Sequence, residues 1–176
     1  PKDTLALVRT AQDSGAPLRI VETVVDINAK RKKAMAQKII AACGGDVKGK
    51  VIAVLGLTFK PNTDDMRDSP SLDIVPALVA AGATVRAYDP EGMDEARHML
   101  SDVEWCKGAY ETMDGADALA IITEWNEFRA LDLDRVKDLL KAPVMVDLRN
   151  IYNPQDMADA GFEYTCIGRA KLAAEG

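Results

Sequence analysis

The chain has 176 residues, of which 48% are apolar and 28% are charged, and its formal net charge is −6. This composition is typical of a globular protein and excludes a disordered chain. The acidic balance argues against a nucleic-acid-binding surface, and no apolar run is long enough to cross a membrane. Cysteines at 43, 106 and 166 lack the spacing of a disulfide framework or a metal site, which favours reduced thiols in the cytoplasm and predicts no bound metal.

The first part of the chain is predicted to be helical. Residues 4–13 carry a short helical pattern that ends near Gly15, and residues 18–43 carry a long one that ends at Gly44. At roughly 1.5 Å per residue the second helix would be about 40 Å long, which exceeds what one small domain needs. Residues 1–48 are therefore predicted to form a connecting helical region that also packs against a second subunit. A plain core helix is the alternative.

The second part, residues 49–176, alternates between strand and helix patterns. Strands are predicted at 51–55, 84–88, 103–105, 118–122, 144–146 and 162–164. Helices are predicted at 70–81, 92–100, 109–113, 133–140 and 155–160. This alternation predicts an α/β fold, a Rossmann-like open parallel sheet with helices on both faces. In such sheets, ligands bind beyond the carboxyl ends of the strands.

The segment after the first predicted strand carries residues suited to phosphate. It reads GLTFKPNTDDMRDSP from Gly56 to Pro70 and has one glycine where a dinucleotide-binding fingerprint needs three. Lys60 supplies a point charge and Arg67 a planar fork, both of which suit phosphate oxygens. Ser69 is predicted to cap the next helix and to place its N-terminus nearby. An ordinary solvated loop is the alternative.

Several other polar or aromatic positions have ordinary interpretations beside a functional one. Asp89 ends the second predicted strand, but it lies well beyond the roughly 20-residue offset of a ribose-binding carboxylate, so turn chemistry with Pro90 is favoured. The basic run 30–33 is interpreted as a solvated helix face, with an anion or partner contact as the alternative. His98 is interpreted as a surface residue. Trp125 either packs in the core or lines a ligand cleft.

Four segments in order along the chain resemble the UDP-glucose/GDP-mannose dehydrogenase family. The longest, GLTFKPNTDDMRDSPSLDIVPAL, resembles the signature of that family's UDP-binding domain. The others are PKDTLALV, ALAIITEWNEF and VMVDLRNIYNP, so the resemblance covers essentially the whole chain. The TEW and FKPNT motifs favour the UDP-glucose branch over the UDP-N-acetylmannosamine and GDP-mannose branches.

The resemblance implies a substrate site for UDP-glucose or another UDP-sugar. Phe59 and Lys60 match the family's pair that meets the nucleotide sugar, the ring packing on planar groups and the ammonium meeting the diphosphate. Arg149 matches a substrate-contacting arginine on the last loop. Two ordinary alternatives stay open, because Phe59 could belong to the core and Arg149 could pair with Asp147 or another acid.

The resemblance also implies NAD as cofactor, bound mainly by a domain outside this chain. Lys2 matches a residue at the edge of the NAD pocket, and Arg67 matches an arginine that reaches the NAD side of the active site. Asp3 matches a catalytic-site aspartate that organises water and proton transfer. With its partners missing, the start of the chain is expected to fray.

The activity that the resemblance implies is oxidation of UDP-glucose to UDP-glucuronate by two hydride transfers, through a cysteine-bound thiohemiacetal and thioester. The family's cysteine would stand just before Pro1 and is absent, so the chain is interpreted as an inactive fragment of a longer, dimeric enzyme that supplies the UDP half-site. A stand-alone nucleotide-sugar-binding or dimerisation module, and a related dehydrogenase, are the alternatives.

Overall fold

The structure is a computed structural model that describes residues 2–170. Pro1 of the PKDTLALV segment and residues 171–176 at the end of the second predicted part lie outside the described residues. The described chain begins with two helices, α1 (Lys2–Asp13) and α2 (Arg19–Ala42), as the apolar spacing predicts. None of the described helices is both long enough and apolar enough to span a membrane.

A six-stranded sheet follows, and all of its neighbouring strands are parallel. Its strands are β1 (Val51–Leu55), β2 (Thr84–Tyr88), β3 (Val103–Trp105), β4 (Ala118–Ile121), β5 (Val144–Asp147) and β6 (Glu163–Cys166). They lie in the order β3-β2-β1-β4-β5-β6, so the direction of winding reverses between β1 and β4. A crevice at the carboxyl edge of such a reversal is where ligands bind in sheets of this kind.

Helices cover both faces of the sheet. They are α3 (Ser71–Ala80), α4 (Met93–Met99), α5 (Ala109–Met113), α6 (Leu133–Leu139), α7 (Pro154–Asp159) and a 3₁₀ helix (Asn126–Ala130). Side chains alternate along a strand, so β1 contributes to two cores. Ile52 belongs to the core that includes Ile39 of α2 and Ile74 of α3, whereas Leu55 belongs to the core that includes Val136 of α6.

The predicted α/β fold class is therefore confirmed, and the bounds of its elements differ little. The largest shifts are at the chain's two ends, where α1 begins at Lys2 rather than residue 4 and β6 ends at Cys166 rather than residue 164. The 3₁₀ helix Asn126–Ala130 has no predicted counterpart. The structure thus places the carboxyl ends of β1, β4 and β5 along one edge of the sheet. Candidate residues of the site lie in the loops that follow these strands.

Candidate functional site

The loop between β1 and α3 places Phe59 and Lys60 at the carboxyl edge of the sheet. Phe59 is 39% exposed, so it is not a core residue. Its backbone N–H donates to the carbonyl of Asp65 at 2.9 Å, which closes the loop on itself. Lys60 is also exposed. An exposed ring beside an exposed ammonium suits a ligand with both a planar group and an anionic group.

The guanidinium of Arg67 lies in the same loop and is occupied by a neighbouring carboxylate. Its Nε and Nη2 donate to the two oxygens of Asp65 at 2.9 and 2.7 Å. These hydrogen bonds hold the pKa of Asp65 down to about 2. Because the Arg67 side chain is exposed, a ligand with more negative charge than Asp65 can displace this carboxylate from the guanidinium at little cost in free energy.

Asp89 anchors the start of this loop, which the sequence interpretation of a simple turn does not anticipate. Its side chain is 0% exposed, so it is excluded as a residue that reads a bound ribose. Its Oδ1 accepts from the N–H of Gly92 at 2.8 Å, as in an ordinary turn. Its Oδ2 accepts from the N–H of Leu57 at 2.6 Å and from Nε1 of Trp125 at 3.1 Å. Trp125 is buried and packs in the core, so it does not line a ligand cleft.

Ser69 and Ser71 anchor the end of the same loop. Their hydroxyls donate to the carbonyl of Leu57 at 2.6 and 2.5 Å. The helix α3 begins at Ser71, with Pro70 as the capping position, one residue later than predicted. The buried Ser69 therefore holds the loop against the end of β1, and its Oγ also accepts from the N–H of Ser71 at 3.2 Å.

Arg149 follows β5 and forms an ion pair with Glu124, which follows β4. Its Nε lies 2.5 Å from Glu124 Oε2, and its Nη2 donates to Oε1 at 2.7 Å. Partial burial raises the pKa of Glu124, but the hydrogen bond and charge of Arg149 outweigh it and hold that pKa below its usual value. The alternative left open for Arg149, pairing with an acid, is therefore present, and the acid is Glu124 rather than Asp147. The pairing leaves Nη1 of Arg149 without a bond to Glu124.

Asp147 shapes the loop that carries Arg149. The buried carboxylate accepts from the N–H of Arg149 at 2.9 Å and of Ile151 at 2.7 Å. It also accepts from the hydroxyl of Tyr164 at 2.7 Å. Burial and this bond to a carboxylate raise the pKa of Tyr164 far above its usual value, so the hydroxyl stays a donor at any physiological pH.

Two neighbouring cavities at the carboxyl edge collect most of the candidate residues. One, of about 790 Å³, is lined by Lys2, Phe59 and Arg67. The other, of about 550 Å³, is lined by Arg149 together with part of α2. Leu5 of α1 and Asp68 of the β1–α3 loop belong to both linings. Both volumes lie in the range of small-molecule sites.

Two predicted residues, Asp3 and Lys60, are exposed and lie outside both linings. Three basic residues of α2, in contrast, line the smaller cavity, namely Arg31, Lys32 and Lys33. The ammonium of Lys32 donates to the carbonyl of Asp68, in the β1–α3 loop, at 2.8 Å. The sequence marks this basic run but does not show which of its residues face a neighbouring loop.

The three free cysteines are poor candidates for a nucleophile. Cys43 is half-buried, and Cys106 and Cys166 are buried. Burial raises the pKa of the thiols of Cys43 and Cys166, which disfavours the reactive thiolate. Within residues 2–170 no three His, Cys, Asp or Glu side chains meet in a way that would hold a metal ion.

Comparisons with known proteins identify the family of the chain. Residues 53–154 match the family model described as "UDP-glucose/GDP-mannose dehydrogenase family, UDP binding domain". A UDP-glucose 6-dehydrogenase of Rhizobium meliloti is 60% identical over 96% of the chain, and one of Bacillus subtilis is 44% identical over 96%. The chain spans 39% and 37% of these two relatives, respectively.

Solved structures show the same architecture. A UDP-glucose dehydrogenase from Pyrobaculum islandicum superposes with a TM-score of 0.72 at 32% identity, over 84% of this chain and 32% of that one. An NDP-N-acetyl-D-galactosaminuronic acid dehydrogenase from Methanosarcina mazei superposes with a TM-score of 0.82 at 27% identity, over 95% of this chain and 37% of that one.

Proposed function

Because the chain belongs to the UDP-glucose/GDP-mannose dehydrogenase family, we propose that it is the UDP-binding part of an NAD-dependent UDP-glucose 6-dehydrogenase. The complete enzyme would convert UDP-glucose to UDP-glucuronate in the cytoplasm. The observation that carries the proposal is that Phe59 and Arg67 meet Lys2 around one cavity, at the edge where the winding of the sheet reverses. By itself this part supplies a half-site and performs no oxidation.

Three residues are proposed to hold the nucleotide sugar. The exposed ring of Phe59 offers a face to a planar base or an apolar sugar face. The ammonium of Lys60, next in the chain, meets the diphosphate as a point charge. Arg149 is held through Nε and Nη2 by Glu124, so its remaining N–H groups meet the substrate from the neighbouring cavity.

Lys2 and Arg67 are proposed to contact NAD, and they would supply only a minor part of its binding site. When bound, NAD would accept the hydride that the substrate loses. Lys2 and Arg67 line one cavity and can donate hydrogen bonds to anionic or carbonyl groups at its rim. Gly56 stands without the other fingerprint glycines, and the buried Asp89 is not free for a ribose, so most NAD contacts must come from elsewhere. Asp3, in the first turn of α1 beside Lys2, is proposed to organise water and proton transfer.

We further propose that the N-terminal half of α2 packs against a second copy of the chain to form a homodimer. Its apolar residues Ile20, Val24 and Ile27 are exposed and recur at helical spacing. The C-terminal half of α2 already packs on α3 through Ala36 and Ile39. Residues 1–48 are thus proposed as the connecting and dimerisation region, and residues 49–176 as the UDP-sugar-binding domain.

Isothermal titration of the chain with UDP, UDP-glucose and NAD in separate runs tests the proposal. UDP and UDP-glucose are expected to bind alike, and NAD is expected to give no heat. Lys60→Ala should remove the binding, whereas Lys48→Ala, an exposed lysine at the opposite edge of the sheet, should not. NAD binding without UDP binding contradicts the assignment. In a fourth run, binding of GDP equal to that of UDP favours a related dehydrogenase. Absence of binding by UDP, UDP-glucose and NAD contradicts a half-site in this chain.

A further inference from the structure

The loop that carries Phe59 and Lys60 begins at a residue whose backbone is held from two sides. The N–H of Thr58 donates to Asp89 Oδ2 at 3.1 Å, and its hydroxyl lies within hydrogen-bond distance of that oxygen at 3.2 Å and of the carbonyl of Lys60 at 3.1 Å. The carbonyl of Thr58 accepts from the hydroxyl of Thr123 at 2.6 Å. Thr58 is fully buried, and Phe59, the next residue, is exposed. The direction in which the loop leaves the core is therefore set at Thr58.

The carboxylate of Asp89 does more than a turn requires. A turn after β2 needs only Oδ1, which accepts from the N–H groups of Glu91 and Gly92. The second oxygen, Oδ2, bonds to groups 31 to 36 residues away in sequence, in the β1 loop and at Trp125. The N–H groups of Leu57, Thr58 and Trp125 can only donate, so they require an acceptor at this oxygen.

Asp89 also spans the point where the winding of the sheet reverses. It follows β2, its partners Leu57 and Thr58 follow β1, and its partner Trp125 follows β4. These are three neighbouring strands of the sheet, in the order β2-β1-β4. One buried carboxylate thus ties together the ends of the strands that border the proposed nucleotide site.

We propose that Asp89 is a positioning residue for the nucleotide-sugar site. Its carboxylate fixes the backbone of Leu57 and Thr58 and thereby sets where Phe59 and Lys60 stand. An amide in its place would turn N–H groups toward N–H donors and leave buried donors unpaired. This inference rests on the function proposed above for Phe59 and Lys60, but the ordering of the loop can be measured without any ligand.

The test compares Asp89→Asn with Asp117→Asn. Asp117 is a matched control, because it also accepts from a backbone N–H, that of Val51 at 2.8 Å, but at the opposite edge of the sheet. Hydrogen exchange of peptides covering residues 57–69 is followed by mass spectrometry, and UDP affinity is measured by titration. Asp89→Asn should speed exchange in the loop and weaken UDP binding, each at least about tenfold, while Asp117→Asn changes both by less than about twofold.

A second variant keeps the test decisive if Asp89→Asn does not fold. Thr58→Val retains the shape of the side chain and removes the hydroxyl that lies between Asp89 and the carbonyl of Lys60, so it should weaken UDP binding several-fold. Where Asp89→Asn does fold, emission from Trp125 in a Trp105→Phe background is a further readout and should change, since the indole N–H of Trp125 loses a carboxylate partner.

The outcomes separate this inference from the proposed function. Unchanged loop exchange in a folded Asp89→Asn protein overturns the inference, and so does faster exchange with unchanged UDP affinity. If the unsubstituted chain does not bind UDP, the proposed function fails. Loop exchange and Trp125 emission then still decide whether Asp89 holds the loop.

Discussion

Gly56 shows at the scale of one residue why the turn out of β1 tolerates no side chain. Its φ is +86°, and a Cβ there would lie 2.6 Å from both the backbone N and the Cβ of Thr123. Its N–H donates to the carbonyl of Tyr88, so the backbone has no room to move aside. We expect Gly56→Ala to lower the free energy of unfolding by at least about 3 kcal/mol, because strain and overlap add.

Urea unfolding measures this loss, and Gly108→Ala is its control. Gly108 has a φ of −172°, which any residue adopts, and nothing lies within 4 Å of the position that a Cβ would take there. Its substitution should change the free energy of unfolding by no more than about 0.5 kcal/mol. Equal losses in the two variants would contradict the explanation by steric overlap.

The ion pair of Glu124 and Arg149 makes a second prediction at this scale, on pH. The folded-state pKa of Glu124 is lowered, so the pair contributes stability above the unfolded pKa of about 4.3, and this stability is lost as pH falls through the folded value. Because both side chains are partly exposed, the contribution is at most about 1 kcal/mol.

Glu124→Gln removes the titrating group and should therefore destabilise the chain at pH 6, and this difference should shrink as pH falls toward 3. Urea unfolding across this range measures the difference between variant and unsubstituted protein. Glu95→Gln, at an exposed position of α4, serves as the control and should show a smaller difference. A constant difference between pH 6 and pH 3 would show that the loss has another cause.

At the scale of elements, the sequence predicts features that depend on neighbouring residues better than features that depend on contacts between distant residues. β1 and β4 are continuous apolar runs and are buried on both faces, so composition alone locates them. Pairings between loops are different. Glu124 and Arg149 are 25 residues apart, and they meet because β4 and β5 are neighbours, with Ile121 opposite Asp147.

Asp89 illustrates the same limit for the site. A turn at Asp89-Pro90 is local and is predicted, whereas the bonds of Asp89 to Leu57 and Trp125 depend on the order of β2, β1 and β4. The residues of the β1 loop are predicted from their chemistry and from family resemblance. Their arrangement around two cavities follows only from how α1 and α2 lie against the sheet.

The helix α2 has two halves with different surroundings, which predicts an association. Ala36 and Ile39 are fully buried, whereas Ile20 is 83% and Ile27 is 55% exposed. Exposed apolar side chains at helical spacing favour packing against another surface. We expect Ile27→Glu to shift the chain from dimer to monomer in analytical ultracentrifugation, because the dimer would bury a charge.

Gln37→Glu adds the same charge at another exposed position of α2 and serves as the control. It lies away from the line of Ile20, Val24 and Ile27, so it should leave the dimer intact. If the unsubstituted chain sediments as a monomer at all concentrations, the proposal of a dimer through α2 fails.

At the scale of the whole molecule, the charge of the chain and that of its proposed site have opposite signs. The net charge is −6, yet the cavities at the carboxyl edge are bordered by the cationic side chains of Lys2, Lys32, Arg67 and Arg149. A dianionic or trianionic ligand is repelled by the chain at long range and attracted by these cations at short range. Measuring ligand affinity at different salt concentrations decides which effect dominates, because salt screens both the repulsion and the attraction.

We predict that UDP affinity falls several-fold when sodium chloride is raised from about 50 to about 500 mM, over which the screening length shortens from about 14 Å to about 4 Å. Attraction by exposed cations such as Lys60 is weakened, because solvent ions reach both partners. Uridine has the same base and ribose without phosphates, so its affinity should stay constant and serves as the control. Titration at both salt concentrations measures the two ligands. A rise of UDP affinity with salt would mean that repulsion by the net charge outweighs the basic edge, and that the phosphates are not bound by these residues.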